Sequence, residues 1–210
     1  MGTIDNIAGT LMPVEKIPAF KLGIKRMIDI LFTVILLPFA IPLVLLAFFI
    51  MWLTSDGPVI FKQKRVGLNG CIFTIYKVRT MVHCPEGYID HTRKNDNRIT
   101  RMGLLFRKLK IDELPQLFNV LKGDMSFIGP RPERVDIVEK FKKVSNSYQY
   151  RHVVKPGITG LAQVKKPTAT PEENMEKLEY DLYYINNYSV QLDFRIIAKT
   201  ITVVTTMSGN

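Results

Sequence analysis

The chain has 210 residues, 47% of them hydrophobic, with 12 Phe, 8 Tyr and 9 Met; that length holds one ordinary domain plus a membrane element, and the composition excludes general disorder. Twenty-nine Lys and Arg against 19 Asp and Glu leave a formal charge of +10, which points to an anionic partner: nucleic acid, a phosphorylated substrate or an acidic membrane surface. There is no GxSxG, Walker-type GxxxxGK or GxGxxG motif and no His cluster, so serine-triad hydrolysis, P-loop chemistry and dinucleotide binding have no local support.

In chain order, the first strong feature is an apolar run at residues 30–54 that carries no formal charge. As a straight helix it measures about 37 Å, enough to cross a hydrocarbon core of about 30 Å. Its length, the residues before it and the absence of a small-residue cleavage site after it do not fit a cleaved signal peptide. Pro38 and Pro42 fall near its middle, at i and i+4, where each removes an amide donor and presses on the preceding turn. Lys16, Lys21, Lys25 and Arg26 precede the run, and Lys62, Lys64 and Arg65 follow it. Positive residues favour the cytoplasmic side, yet here they flank both ends. A segment that enters the membrane, breaks at the prolines and returns to the same face satisfies both. A kinked single-pass helix and a buried core helix are the alternatives.

Residues 58–81 alternate apolar and polar around Asn69-Gly70, a strong turn dipeptide, and predict a β-hairpin. The polar stretch 82–97 predicts a loop. Residues 99–109 predict a helix with Met102, Leu105, Phe106 and Leu109 on one face. A second, at 114–121, stops at Lys122-Gly123, and Gly129-Pro130-Arg131-Pro132 requires a stiff, non-helical turn. Residues 171–187 and 191–207 complete the helical set, the last amphipathic and suited to packing on the core or a bilayer. Cys71 and Cys84 match no metal or redox spacing and read as two reduced thiols.

The chemistry concentrates in Lys110-Ile111-Asp112-Glu113-Leu114-Pro115-Gln116. Pro115 disfavours helix at Leu114 and suits a first helical turn, so Asp112 and Glu113 belong just before or at a helix N-terminus. Free amides and the positive end of the helix dipole make that place hospitable to phosphate. Adjacent carboxylates there suit Mg2+, which takes one or two carboxylates plus substrate phosphates; alternatively one of them attacks phosphorus. An Asp near a helix start is also an ordinary cap. Arg107 and Lys108 just before the pair, and Arg131 in the stiff turn, add the planar forks and charge that phosphate oxygens prefer.

These residues carry a resemblance. The stretch Asp112-Glu113-Leu114-Pro115-Gln116-Leu117-Phe118-Asn119, continuing through Gly123-Asp124-Met125-Ser126-Phe127-Ile128-Gly129-Pro130-Arg131-Pro132, resembles the hallmark of the bacterial sugar transferases, the monotopic phosphoglycosyl transferases. So do Phe73, Tyr76-Lys77 and Arg79-Thr80-Met81, the run from Lys155-Pro156-Gly157 through Gln163-Val164, and Glu179-Tyr180-Asp181 with Tyr183-Tyr184. The likeness extends over residues 25–208 in the expected order. It implies Asp112 as a nucleophile forming a covalent phosphosugar intermediate with release of UMP. Glu113 is implied as its dyad partner at the metal site, and Lys77, Arg107, Arg131 and Asp181 as active-site positions binding substrate and phosphate. The small members, rather than larger ones with extra N-terminal spans, are the closer match. One departure is local: the family often has Ser-Pro at the membrane break, where this chain has Ile41-Pro42 with Pro38 in addition.

The expected protein is therefore α+β and mostly helical, monotopic, with an N-terminal extension at 1–24, a proline-broken re-entrant membrane helix at 25–55 and a cytoplasmic catalytic domain with a short β-hairpin at 56–210. Its expected reaction moves a sugar 1-phosphate from a UDP-sugar to polyprenyl (undecaprenyl) phosphate, with Mg2+ held by Asp112 and Glu113, at the cytoplasmic face of a bacterial inner membrane. Such a reaction starts glycoconjugate synthesis. Both an N-acetylated amino sugar and a neutral hexose fit the donor, and oligomeric state is open. A one-step transfer within a ternary complex is the mechanistic alternative. A membrane-tethered basic module that binds nucleic acid or anionic lipid without catalysis is the competing class. It assigns the acidic pair and the stiff turn no task, so nucleic acid is not among the expected partners.

Overall fold

A computed structural model describes residues 17–83, 96–167 and 174–205. Residues 1–16, Cys84 with most of the predicted 82–97 loop, and the outer ends of the last two predicted helices lie outside them. Helix α1, Ala19–Thr54, begins ahead of residue 25 and continues through Pro38 and Pro42. Pro18 stands at its N-terminus, where a missing amide is harmless. By length and composition α1 is able to cross a membrane.

What α1 buries is a narrow seam. Lys25, Asp29, Thr33, Ala40, Ala47 and Met51 are covered, spaced by fours and sevens so that they fall on one stripe of the helix. Phe39, Leu45, Trp52 and Leu53 are among the large apolar side chains left 60–70% exposed. Both halves of the seam dock on the same body. Toward the N-terminus, Lys25 Nζ lies 2.6 Å from Asp193 Oδ2 and Asp29 Oδ1 accepts from Ser126 Oγ and Phe127 N, both at 3.0 Å. Toward the C-terminus, Ala47 and Met51 pack on Val78 and Phe106.

The predicted hairpin forms. Strands β1, Ile60–Val66, and β2, Ile72–Val78, pair antiparallel from Ile60↔Val78 to Val66↔Ile72. Asn69 and Gly70 both take positive φ, 53° and 80°, the conformation that dipeptide was chosen for. Helix α2, Arg101–Lys108, starts at Thr100, whose hydroxyl accepts from Gly103 N. Helix α3, Gln116–Lys122, ends at Gly123 with φ 94°, as Lys122-Gly123 indicated.

Beyond α3 the structure adds elements that the pattern reading leaves blank: β3 (Ser126–Ile128), α4 (Val135–Val144), a 3-10 turn (Asn146–His152), β4 (Gly157–Thr159) and α5 (Leu161–Lys165). β3 and β4 pair in parallel, and Gly129 permits the approach, since a Cβ there would stand 2.3 Å from Lys155 O. Helices α6, Asn174–Asn186, and α7, Val190–Thr205, match the last two predicted helices within a few residues. Ile128, Val154, Leu161, Tyr184, Ile185 and Ile196 make the core between β3–β4 and α6–α7. Val66, Ile137, Val138, Phe141, Tyr148 and Leu178 make a second core under α4.

Candidate active site

Between α2 and α3 the chain reverses at Lys110, which adopts the left-handed conformation at φ 56°, and enters a 3-10 turn, Ile111–Glu113. Leu114 and Pro115 then continue in helical geometry into α3. The acidic pair thus sits in the turn directly ahead of a helix, as expected, but Leu114 is helical (φ −56°, ψ −35°) where Pro115 was expected to disfavour that geometry. Asn119, fully buried on α3, ties that helix to β2 by donating to Thr74 O at 2.8 Å and accepting from Tyr76 N at 3.3 Å. The next residue on β2 is Lys77.

Glu113 is caged by cations. Its Oε1 accepts from Lys77 Nζ at 2.6 Å and from Arg131 Nη2 at 3.1 Å. Burial opposes its ionisation, yet the Lys77 and Arg131 charges outweigh that and hold the carboxyl far below the ordinary range. Lys77 is pushed down by burial, against the pull of Glu113. Arg131 is pushed up, chiefly by Glu113.

Asp112 lies in a different setting one residue away. It is 7% exposed, and its Oδ1 is buried without a hydrogen-bond partner among the described residues. Burial pushes its carboxyl up; Lys77 pulls it down, and the Glu113 charge adds to the rise. Two adjacent carboxylates are therefore driven apart: Glu113 is a fixed anion, and Asp112 is the more basic group with an unclaimed oxygen. Such a split separates roles in catalytic carboxyl pairs.

Arg107, in the last turn of α2, donates from Nε to Thr80 Oγ1 at 2.8 Å and acts on Asp112 through charge alone. Asp181 is not brought to the carboxylates. It is buried on α6, where Arg151 Nη2 lies 2.7 Å from its Oδ2, and burial, opposed by that arginine, pushes it up to about 6. Among the described residues no three His, Cys, Asp or Glu side chains converge as a metal cage.

Three arginines hold this architecture: Arg26 and Arg65, which the sequence marks only as charges flanking the apolar run, and Arg151, which it does not mark at all. Arg26 on α1 donates to Val120 O and Leu121 O at 2.5 and 2.7 Å, covering the carbonyl end of α3. Arg65 donates to Pro132 O at 3.0 Å. Arg151 donates to Arg131 O at 3.0 Å. All three act on backbone carbonyls across long sequence separations, so no local pattern marks that role.

The family described as bacterial sugar transferase matches residues 20–207. An Aeromonas hydrophila protein named UDP-N-acetylgalactosamine-undecaprenyl-phosphate N-acetylgalactosaminephosphotransferase is 46% identical over 207 residues, covering 98% of this chain and 48% of its own length. A Klebsiella pneumoniae protein named UDP-glucose:undecaprenyl-phosphate glucose-1-phosphate transferase is 41% identical, over 84% of this chain and 39% of its own. A protein of the same name from Caulobacter vibrioides is 39% identical, over 91% of this chain and 74% of its own. The chain spans less than half the length of the first two of these relatives.

Proposed function

From the premise that this chain belongs to the bacterial sugar transferases, we propose that it transfers a sugar 1-phosphate from a UDP-sugar to polyprenyl (undecaprenyl) phosphate. The products are polyprenyl-diphosphate-sugar and UMP, the opening step of a bacterial glycoconjugate. One observation carries the reading: Asp112 keeps a buried oxygen that no donor claims among the described residues, while Glu113 beside it takes up both Lys77 and Arg131.

In the first step a carboxylate oxygen of Asp112 attacks the phosphorus that bears the sugar. A phosphorus–oxygen bond forms to Asp112, and the bond from that phosphorus to the bridging oxygen breaks. UMP leaves with the oxygen and its electron pair. In the second step an oxygen of polyprenyl phosphate attacks the same phosphorus, and the Asp112 carboxylate is regenerated. Lys77, Arg107 and Arg131 supply positive charge where the phosphoryl oxygens gather. Glu113 holds Lys77 and Arg131 in place and, by its charge, keeps Asp112 basic.

Mg2+ fits this donor set. Its ligands are hard oxygens, usually one or two carboxylates completed by substrate phosphates, and Asp112 Oδ1 is a buried carboxylate oxygen lacking a donor among the described residues. Asp112 and Glu113 are the residues that would hold the ion, and it would neutralise charge on the diphosphate.

The membrane reading rests on the two-ended docking of α1. Lys25 and Asp29 near one end and Ala47 and Met51 near the other all touch one body. A helix spanning a bilayer would separate those positions by a hydrocarbon core of about 30 Å. A segment that dips into the leaflet and stays on the cytoplasmic side leaves the exposed apolar residues of α1 in lipid and keeps both ends on the domain. That placement brings the active site to the surface where a polyprenyl phosphate head group resides.

The test is exchange. Enzyme given a UDP-sugar and labelled UMP, with no lipid acceptor, is expected to move label into the UDP-sugar. Across a panel of UDP-sugars, absence of exchange with every donor that supports UMP release in the presence of undecaprenyl phosphate rules out the covalent scheme.

A further inference from the structure

The stiff turn at residues 129–132 delivers Arg131 to Glu113, and prolines on both sides of Arg131 remove amide donors and fix φ. Its carbonyls are held from outside. Arg65 Nη1 donates to Pro132 O, and Arg151 Nη2 donates to Arg131 O, each at 3.0 Å. Arg151 is 5% exposed and is itself immobilised. Its Nη2 lies 2.7 Å from Asp181 Oδ2, and its Nη1 donates to Tyr148 OH at 2.7 Å. Asp181 and Tyr148 are as deeply buried. The planar guanidinium donates to two fixed oxygens, Tyr148 OH and Arg131 O, while pairing by charge with Asp181, whose Oδ2 takes no hydrogen bond among the described residues; the single ammonium of a lysine does not present that fork. A buried ion pair contributes little net stability, because desolvation offsets its attraction. The use of this one lies in the hydrogen bond that Arg151 makes to the backbone of Arg131.

Arg131 is the exposed end of the chain of contacts. Its side chain is 41% exposed and, among the described residues, hydrogen-bonds to Glu113 through Nη2, which leaves a planar fork suited to diphosphate oxygens. We infer that Arg151, locked by Asp181 and Tyr148, is a positioning residue that sets where Arg131 presents its guanidinium to the donor's diphosphate. The inference rests on the transferase reading above and deepens it. It also gives Asp181 a different task from substrate contact: it acts two links away, through Arg151 and the Arg131 carbonyl.

UDP binding by isothermal titration calorimetry on the full chain in detergent, with UMP-release kinetics beside it, tests this. Arg151→Lys is expected to weaken UDP about tenfold and to raise the KM for the UDP-sugar by a similar factor, with kcat changed less than about threefold. In an Arg131→Gln background the same substitution changes the Kd for UDP by less than about twofold, because the group it aims is gone. Tyr148→Phe removes one acceptor while keeping the ring stacked on Phe141 and under the Arg151 guanidinium. Its expected effect is about two- to threefold, again lost in the Arg131→Gln background, and it decides the matter if Arg151→Lys does not fold. Equal losses with and without Arg131, or an unchanged Kd in folded Arg151→Lys, overturn the inference. A wild-type chain that binds UDP yet releases no UMP from any UDP-sugar defeats the transferase reading instead.

Discussion

Glu113→Gln isolates the charge at the centre of the site, because glutamine keeps the shape and an accepting oxygen. Breaking a well-buried ion pair by removing one partner typically costs about 3–5 kcal/mol. Here Lys77 and Glu113 are 17% and 14% exposed, so that figure applies only in part, and the Arg131 partner, at 41%, adds no more than a surface pair. The glutamine oxygen still accepts a neutral hydrogen bond, and the repulsion between adjacent carboxylates disappears. A net loss of about 2 kcal/mol follows, or roughly 4–8 °C in Tm for a chain of this size. The Glu113 carboxyl is held below its ordinary value of 4.5 by Lys77 and Arg131 in spite of burial. Its stabilisation is therefore complete above that pH and fades as pH falls below it. Thermal melts of both proteins in the same detergent, from pH 8 down to pH 4, should show a constant gap that narrows at the acid end. A gap under 1 °C at pH 7.5, or one that widens with acid, refutes the ion-pair cage.

Asp112→Asn should lower UMP release by at least about 10³-fold while the protein still binds UDP, read by kinetics and calorimetry in parallel. Gly129→Ala places a methyl carbon 2.3 Å from Lys155 O and should sever the β3–β4 pairing, seen as loss of more than about 3 kcal/mol in denaturant melts. His152 is held down at about 4 by burial, reinforced by the Arg151 and Lys142 charges. As a group depressed in the fold, it contributes stability that is whole above its ordinary 6.5 and is lost as pH falls toward 4. His152→Gln should remove a pH-dependent component of up to about 3 kcal/mol across that window, measured as the difference between the two proteins' melts.

Much of this protein was legible before folding because its strongest signals are local. An uncharged run at residues 30–54 exposes its length directly, Asn69-Gly70 dictates its own turn, Gly123 closes its own helix, and Pro115 places Asp112 and Glu113 ahead of α3. Each is a backbone preference that a few neighbouring residues satisfy. The continuation of α1 through Pro38 and Pro42 was not legible. The helix persists where its two prolines favour a break.

Sequence by itself determined the family to which the chain belongs and pointed to the candidate residues of its site, since the 112–132 run is a contiguous pattern of unusual residues. Only tertiary structure decided how those residues divide the work. It put Lys77 and Arg131 on Glu113, left Asp112 Oδ1 without a donor among the described residues, and paired Asp181 with Arg151. Those pairings join residues between 18 and 36 positions apart in sequence, or bridge separate helices. The physical reason is that a side chain's charge state and partner are set by burial and by neighbours in space, which no local spacing encodes.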